Sequence, residues 1–258
     1  MQLTFYKYQG TGNDFVILDN RDGSISLNTQ QVKFLCDRRF GIGADGLMLL
    51  NKLDGYDFEM AYYNADGRES SMCGNGGRCL TRFAFDRGIH KANYLFRAVD
   101  GDHQAELGEN GWIRLKMQDV NEVKEYHGDL VLDTGSPHYV KNVHHVMDLD
   151  VFKAGREIRY SKDFEAEGIN VNFVENDDKK IIVRTYERGV EDETFSCGTG
   201  VTASALISAH NDKGFNQVEV QTLGGHLAVE FDKTGEHSFE NIWLCGPATF
   251  VFKGEIEI

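Results

Sequence analysis

The chain has 258 residues, 41% of them apolar and 26% charged, which is the composition of a folded domain or a pair of domains and not of a disordered or fibrous chain. Its net charge of −14 and the absence of any basic run argue against nucleic acid and anionic membrane surfaces as partners. No apolar stretch approaches the roughly 20 residues of a membrane span, and five cysteines at wide spacings do not form a secreted disulfide framework, so a cytoplasmic protein with free thiols is expected.

The first segments, "LTFYKY" and "FVILDN", read as strands after which residues 28–40 have the apolar spacing of an amphipathic helix, capped by Asn28 and burying Val32, Leu35 and Cys36. "GIGADG" at 41–46 matches a dinucleotide fingerprint only in its letters. It follows a helix and precedes a strand, the reverse of what phosphate binding needs, so it is read as a turn. "LMLLN" and "DFEMAYYN" are strand candidates. Residues 69–79, "ESSMCGNGGRC", then place Cys73 before a glycine-rich turn, and Cys79, Leu80, Phe83 and Ala84 recur behind it at helical spacing, with Gly88 as the stop.

The pattern returns 124 residues later. "ETFSCGTGVTA" at 193–203 places Cys197 before a second glycine turn, again with Glu four residues upstream, and Val201, Ala205 and Ala209 follow at helical spacing. "DGD" at 100–102 and "GGH" at 224–226 share the same offset, and "TGNDFV" at 11–16 resembles "TGSPHYV" at 134–140 with one insertion. Three matches in one order indicate a duplication. The expected architecture is α+β, with two pseudo-symmetric domains, each a curved and mostly antiparallel sheet around a central helix. The halves are 1–118, carrying Cys73, and 119–248, carrying Cys197, with a linker near 118–128 and the final strand, 249–258, returning to the first half.

A cysteine at a helix entrance lies beside unpaired N–H groups and the positive end of the dipole, which favours thiolate. The glycines remove Cβ atoms that would keep a ligand from the backbone. Amides at Gly74, Asn75, Gly198 and Thr199 are therefore candidates to hold a carboxylate. If the two turns face one another, one thiolate can take an α-proton while the other thiol returns one to the opposite face. That is inversion with no cofactor and no metal, and the amides would stabilise the enediolate charge. Cys36, Cys79 and Cys245 read as buried structural thiols. Zinc would want shorter Cys spacing than the interval from Cys73 to Cys79, and a disulfide between Cys73 and Cys197 reads as an inactivating side reaction.

At these residues the chain resembles the diaminopimelate epimerase family. The resemblance runs over essentially the full length through "GTGNDFVILD", "RRFGIGADGL", "NADGRESSMCGNGGRC", "GSPHYV", "GINVNF" and "YERGVEDETFSCGTG". It implies interconversion of LL- and meso-2,6-diaminopimelate in lysine biosynthesis, with Cys73 and Cys197 as the catalytic thiols and a homodimer as the assembly. It further implies that Asn13 binds substrate, that Asn64, Asn170 and Arg188 bind the distal, non-reacting end, and that Glu187 and His138 support the protonation states of the thiols. Two positions depart from the family pattern: Ser136 stands where a binding Asn is common, and Gly46 where a Gln is common. The segment "VEDETFS" is one residue longer than the common form. Two other readings share part of this pattern: a related racemase acting on proline, hydroxyproline or histidine, and a binding or redox sensor using the same residues without turnover.

Overall fold

A buried strand next to a turn of fixed hand is set up at the very start of the chain. In the computed structural model, which describes Met1–Ile258, β1 (Gln2–Gly10) and β2 (Asn13–Asn20) form an antiparallel hairpin. Its two-residue turn puts Thr11 at φ 50° and Gly12 at φ 85°, the left-handed pair that matches strand twist. The chain divides into two units, Met1–Leu115 with Gly246–Ile258, and Lys116–Cys245.

In the first unit, α1 (Thr29–Cys36) starts in a full capping box. The Asn28 side chain accepts from Gln31 N–H and the Gln31 side chain accepts from Asn28 N–H. The helix buries Val32, Leu35 and Cys36, yet it stops at Cys36 and not at residue 40. Asp37 Oδ1 accepts the N–H groups of Arg39 and Phe40 at 2.7 and 2.8 Å and closes a turn there. β3 (Gly46–Asn51) runs parallel to β2, and β4 (Phe58–Asn64) antiparallel to β3. α2 (Gly74–Asp86) begins at Cys73 and ends where Gly88, at φ 93°, lets Ile89 N–H reach Ala84 O at 2.9 Å. β5 (Asn93–Ala98) lies parallel to β4, and β6 (Gly101–Leu107) and β7 (Ile113–Lys116) continue antiparallel.

In the second unit, β8 (Val123–Tyr126) pairs antiparallel with β9 (Asp129–Asp133), and β9 with β10 (Pro137–Asn142). The expected linker at 118–128 is thus folded: Val120 and Val123 are buried, and Val120 bridges Phe239. A 3-10 turn (Val146–Asp148) and α3 (Val151–Arg159) lead to β11 (Asn170–Asp177), parallel to β10. β12 (Lys180–Glu187) is antiparallel to β11 and carries the short β13 (Asp192–Thr194). α4 (Gly198–Ile207) begins at Cys197. It ends before Ala209, because Asn211 N–H and Nδ2 bond Asn216 Oδ1 and Phe215 O and draw the chain into a turn. β14 (Gly214–Thr222) is parallel to β12, and β15 (Gly225–Gly235) and β16 (Ser238–Gly246) complete the run antiparallel. β17 (Thr249–Glu257) pairs antiparallel with β1 of the first unit.

Both units therefore repeat one order: hairpin, parallel strand, antiparallel strand, cysteine-capped helix, parallel strand, hairpin. The turn pair Ala98↔Gly101 stands to Cys73 at the same offset as Thr222↔Gly225 stands to Cys197. Each capped helix is wrapped by strands of its own unit, α2 by β1, β2, β3, β4, β6 and β17, and α4 by β9, β10, β11, β12, β14 and β15. Burial on all sides explains their small residues: an added Cβ at Gly77 would lie 3.1 Å from Met72 Sδ. The longest helix has 13 residues, and none is long and apolar enough to cross a membrane.

On α3, Gly155 is buried against β12, where an added methyl would overlap Tyr186 Cβ and lie 2.6 Å from its Cγ. Helix propensity alone favours Ala over Gly by about 0.5–1 kcal/mol, but overpacking of this kind costs about 1–3 kcal/mol. Gly155→Ala is therefore expected to lower the urea midpoint of unfolding; a raised midpoint would show that α3 does not seat on Tyr186.

Candidate functional site

The residue preceding a buried helix start decides what its free N–H groups meet. The first helical bonds of α2 and α4 are Gly77 N–H to Cys73 O and Val201 N–H to Cys197 O, at 2.7 and 2.8 Å. The backbone N–H groups of Gly74, Asn75 and Gly76 in one unit, and of Gly198, Thr199 and Gly200 in the other, precede the first intrahelical hydrogen bond. Neither cysteine side chain caps its own helix, so each sulfur stands beside a row of backbone donors at the positive helix end. Cys73 is half-buried, Cys197 is buried, and neither is in a disulfide.

In the first unit, Cys73 Sγ lies 3.6 Å from Asn13 Oδ1, at the start of β2 just after the hairpin turn. Asn75 Nδ2 donates to the same oxygen at 3.3 Å, and Asn13 Nδ2 donates to Asp45 Oδ2 at 2.7 Å. Behind Asn75, the wholly buried Arg78 donates from Nη2 to Asn75 Oδ1 at 3.0 Å and to Thr11 Oγ1 at 3.3 Å. Asp14 is clamped by Arg38, with Nη2–Oδ1 2.6 Å, and by the buried Lys7, Nζ–Oδ2 2.7 Å. Burial alone would raise the Asp14 carboxyl, but its hydrogen bonds to Arg38 and Lys7 outweigh that and hold it down at about 2. Asn64 is exposed at the end of β4, paired with Gly46 across the strands. A side chain at Gly46 would come within 2.5 Å of Tyr62 Cε2, so the Tyr62 ring occupies the space that a Gln would need.

The second unit builds a different surround. Cys197 Sγ is 3.5 Å from Thr199 Oγ1, and Thr134 Oγ1 donates to Thr199 O at 2.9 Å. Glu187 ends β12 and accepts from Thr194 Oγ1 at 2.8 Å, which ties it to the segment leading into Cys197. Ser136, Asn170 and Arg188 form one cluster. Ser136 Oγ accepts from Asn170 Nδ2 at 2.9 Å and from Arg188 Nη2 at 3.1 Å. Arg188 N–H donates to Asn170 Oδ1 at 2.9 Å, and Arg188 Nη1 to Glu167 O at 3.2 Å. With both acceptor positions of Ser136 used, its own O–H remains as a donor. The cluster thus offers a guanidinium and a hydroxyl donor, the chemistry that receives a carboxylate.

His138 is wholly buried. Asn172 fixes its tautomer: Asn172 Oδ1 accepts from Thr185 Oγ1 at 2.9 Å, so Nδ2 faces His138 Nδ1 at 3.0 Å and Tyr139 O at 3.1 Å. Nδ1 accepts and the proton sits on Nε2, which has no partner. Burial, with the Arg188 charge adding to it, pushes this imidazole down to about 3 against the opposing Asn172 contact. His138 is therefore neutral at physiological pH. Gly200 on α4 sits against Asn172, where any Cβ would overlap Oδ1.

The sequence reading named the thiols and their immediate partners but not Asp45, Arg38, Arg78, Asn172 or Thr185. Two signals pointed to them: Asn172 follows Asn170 at strand period, placing both on one face, and Asp45 is the one carboxylate in the "GIGADG" turn. Nothing in the spacing marked Thr185.

The chain matches the family model described as diaminopimelate epimerase over residues 5–123 and 130–251. It is 48% identical to the diaminopimelate epimerase of Flavobacterium psychrophilum, covering 98% of this chain and 100% of that one, and 41% identical to that of Chlorobaculum tepidum, covering 96% and 99%. Among solved structures, a PhzF-family phenazine biosynthesis protein of Bacillus anthracis superposes with a TM-score of 0.78 at 17% identity over 100% of both chains. A hydroxyproline epimerase of Agrobacterium vitis does so with 0.68 at 13% identity, over 99% and 92%. These two show the shared fold.

Because the folded imidazole of His138 sits below its ordinary value of 6.5, protonation favours the unfolded chain. Its contribution is intact above 6.5 and is lost as pH falls from there towards 3. The stability of the wild type relative to His138→Gln is expected to shrink below pH 6.5 by up to about 1.4 kcal/mol per pH unit, measured by urea unfolding from pH 7 to 4.5. A difference independent of pH would contradict the neutral, buried imidazole.

Proposed function

Since the chain belongs to the diaminopimelate epimerase family, we infer that it is an amino-acid epimerase, an isomerase interconverting LL- and meso-2,6-diaminopimelate in lysine biosynthesis. We propose Cys73 and Cys197 as the reacting thiols, one acting on each face of the α-carbon. One observation carries this: in each unit a cysteine outside any disulfide stands at the start of a buried helix, with its side chain not capping that helix and glycine-opened backbone donors beside it.

The proposed step balances within the protein and the substrate. A thiolate takes the α-proton and becomes a thiol, and the electron pair moves into the α-carboxylate as an enediolate. The second thiol gives its proton to the opposite face of the carbon and becomes the thiolate. N–H groups of Gly74, Asn75, Gly198 and Thr199 stabilise the charge on the carboxylate as it grows. Asn13, beside the Cys73 sulfur, orients the substrate. Glu187 and His138 support the ionisation of the thiols from the second unit, His138 as a neutral Nε2–H donor. Arg188, with Ser136, Asn170 and Asn64, holds the distal carboxylate and ammonium, so that only one end of the molecule reaches the sulfurs. The reading calls on no cofactor or metal, and extends to a homodimer, as the family resemblance implies, and to the cytoplasm, as the cysteine usage suggests.

Cys73→Ser and Cys197→Ser are each expected to lower turnover of LL-diaminopimelate by about 10²–10⁴-fold, the range of a positioned acid or base, with unchanged circular dichroism. Near-full turnover in either variant would remove that cysteine from the reaction. Arg188→Leu is expected to lower kcat/KM by about 10–100-fold through loss of a charge-assisted contact. An unaltered value would mean that the distal carboxylate binds elsewhere. Sedimentation of the reduced protein as a monomer would contradict the dimer.

A further inference from the structure

The amide of Asn13 meets the Cys73 sulfur, and its direction is set by groups outside that contact. Asn13 Nδ2 donates to Asp45 Oδ2 at 2.7 Å. A carboxylate only accepts, so the amide nitrogen must face Asp45 and the amide oxygen must face away from it. Asp45 is itself held in place: Oδ2 accepts Asp14 N–H at 3.2 Å and Oδ1 accepts Arg38 Nη2 at 2.8 Å. From the other side, Asn75 Nδ2 donates to Asn13 Oδ1, and the Arg78 guanidinium fixes Asn75 by donating to its Oδ1. Both ends of the chain of contacts, a carboxylate at one and a guanidinium at the other, impose the same orientation. The atom presented to Cys73 Sγ at 3.6 Å is therefore an acceptor, and a sulfur that meets an acceptor is a donor, S–H.

We propose that Asp45 is a positioning residue which, through the Asn13 amide, holds Cys73 as a protonated thiol in the free enzyme, so that Cys73 rests as the acid of the pair. This rests on the assignment of Cys73 as a reacting thiol. The start of α2 draws the sulfur towards thiolate, while the Asn13 oxygen stabilises the neutral form. Turned over, the same amide would present N–H groups and reinforce the helix. Amide orientation thus decides whether the two influences oppose or add.

Other charged or titratable groups nearby include Asp14, Arg38 and Lys7 beside Asp45, Arg78 on α2, the Cys79 thiol, which interacts electrostatically with Cys73, and Asp100, which accepts Met72 N–H at 3.3 Å and pairs with His103. Their charges differ in sign and reach the sulfur whichever way the amide points, so they do not mimic a reversal.

The test is the pH dependence of Cys73 alkylation by iodoacetamide in full-length protein carrying Cys197→Ala, read by mass spectrometry. Cys36 and Cys79 stay silent, because burial pushes both thiols up to about 12. Asp45→Asn replaces an acceptor-only group with one that can also donate, which leaves only the Asn75 contact to set the amide, and is expected to raise the alkylation rate at about pH 6.5 by about tenfold, equivalent to one pKa unit. Removing the carboxylate charge acts in the same direction, so the comparison is repeated with Asn13→Ala present. There the effect of Asp45→Asn is expected to lose most of its size, since the two residues act through one contact. An equal acceleration with and without Asn13 would reduce Asp45 to a simple charge and overturn the proposal. So would no acceleration, or a parent Cys73 that alkylates with a pKa well below the ordinary value of about 8.5. Asp45→Ala serves for the same comparison if Asp45→Asn does not fold. Alkylation needs no turnover, so the outcome is independent of whether the epimerase assignment stands.

Discussion

A helix cannot use its own first N–H groups, and burying that end obliges the protein to leave those donors to something else. In both units this obligation falls next to a cysteine whose side chain does not cap the helix. Much of the local architecture follows. The helices run through their units wrapped by strands, and their first turns are rich in glycine; any Cβ at Gly200, for one, would collide with Asn172. The hairpin turns before β2 and β10 bring Asn13 and Ser136 to the strand starts, and each following strand lies parallel, which places its first residues, Gly46 and Asn170, at the same end.

The two units share this plan but surround their sulfurs differently. Cys73 lies beside an amide locked between Asp45 and Arg78, in a setting dense with ion pairs. Cys197 lies beside a hydroxyl, with a buried neutral imidazole and an Arg–Ser–Asn cluster in its unit. A duplication that kept equivalent surrounds would give two equivalent thiols. An acid and a base that begin each turnover in different ionisation states need unlike surrounds, and these differ: the Cys73 sulfur meets an amide oxygen that only accepts, the Cys197 sulfur a hydroxyl that can donate or accept.

Much of this was legible in the amino-acid sequence because the signals were local. Asn28 with Gln31 announced the α1 cap, the paired cysteine turns announced the two buried helix starts, and the matching "DGD" and "GGH" offsets announced the repeat. Where the reading differed, a tertiary or side-chain contact overrode periodicity. Asp37 ended α1 early by taking two backbone N–H groups, Asn211 and Asn216 ended α4 before Ala209, and pairing with β9 turned residues 123–126 from an expected linker into a strand. The groups behind the site were hidden for the same reason. Asp45 meets an amide, and Asn172 an imidazole and a hydroxyl, brought to them by other strands, and no spacing in one segment reports which atom of an amide faces its neighbour.

The central claim is that two separate thiols serve one carbon, one removing the proton and the other replacing it. Early-conversion isotope analysis tests this most directly. Reduced protein is given LL-diaminopimelate in deuterium oxide, and both isomers are recovered after a few per cent of reaction. The account predicts meso product carrying solvent deuterium at the inverted centre, with the remaining LL isomer still carrying hydrogen. Product that retains the original hydrogen would mean that a single group carried it from one face to the other, and would contradict the account.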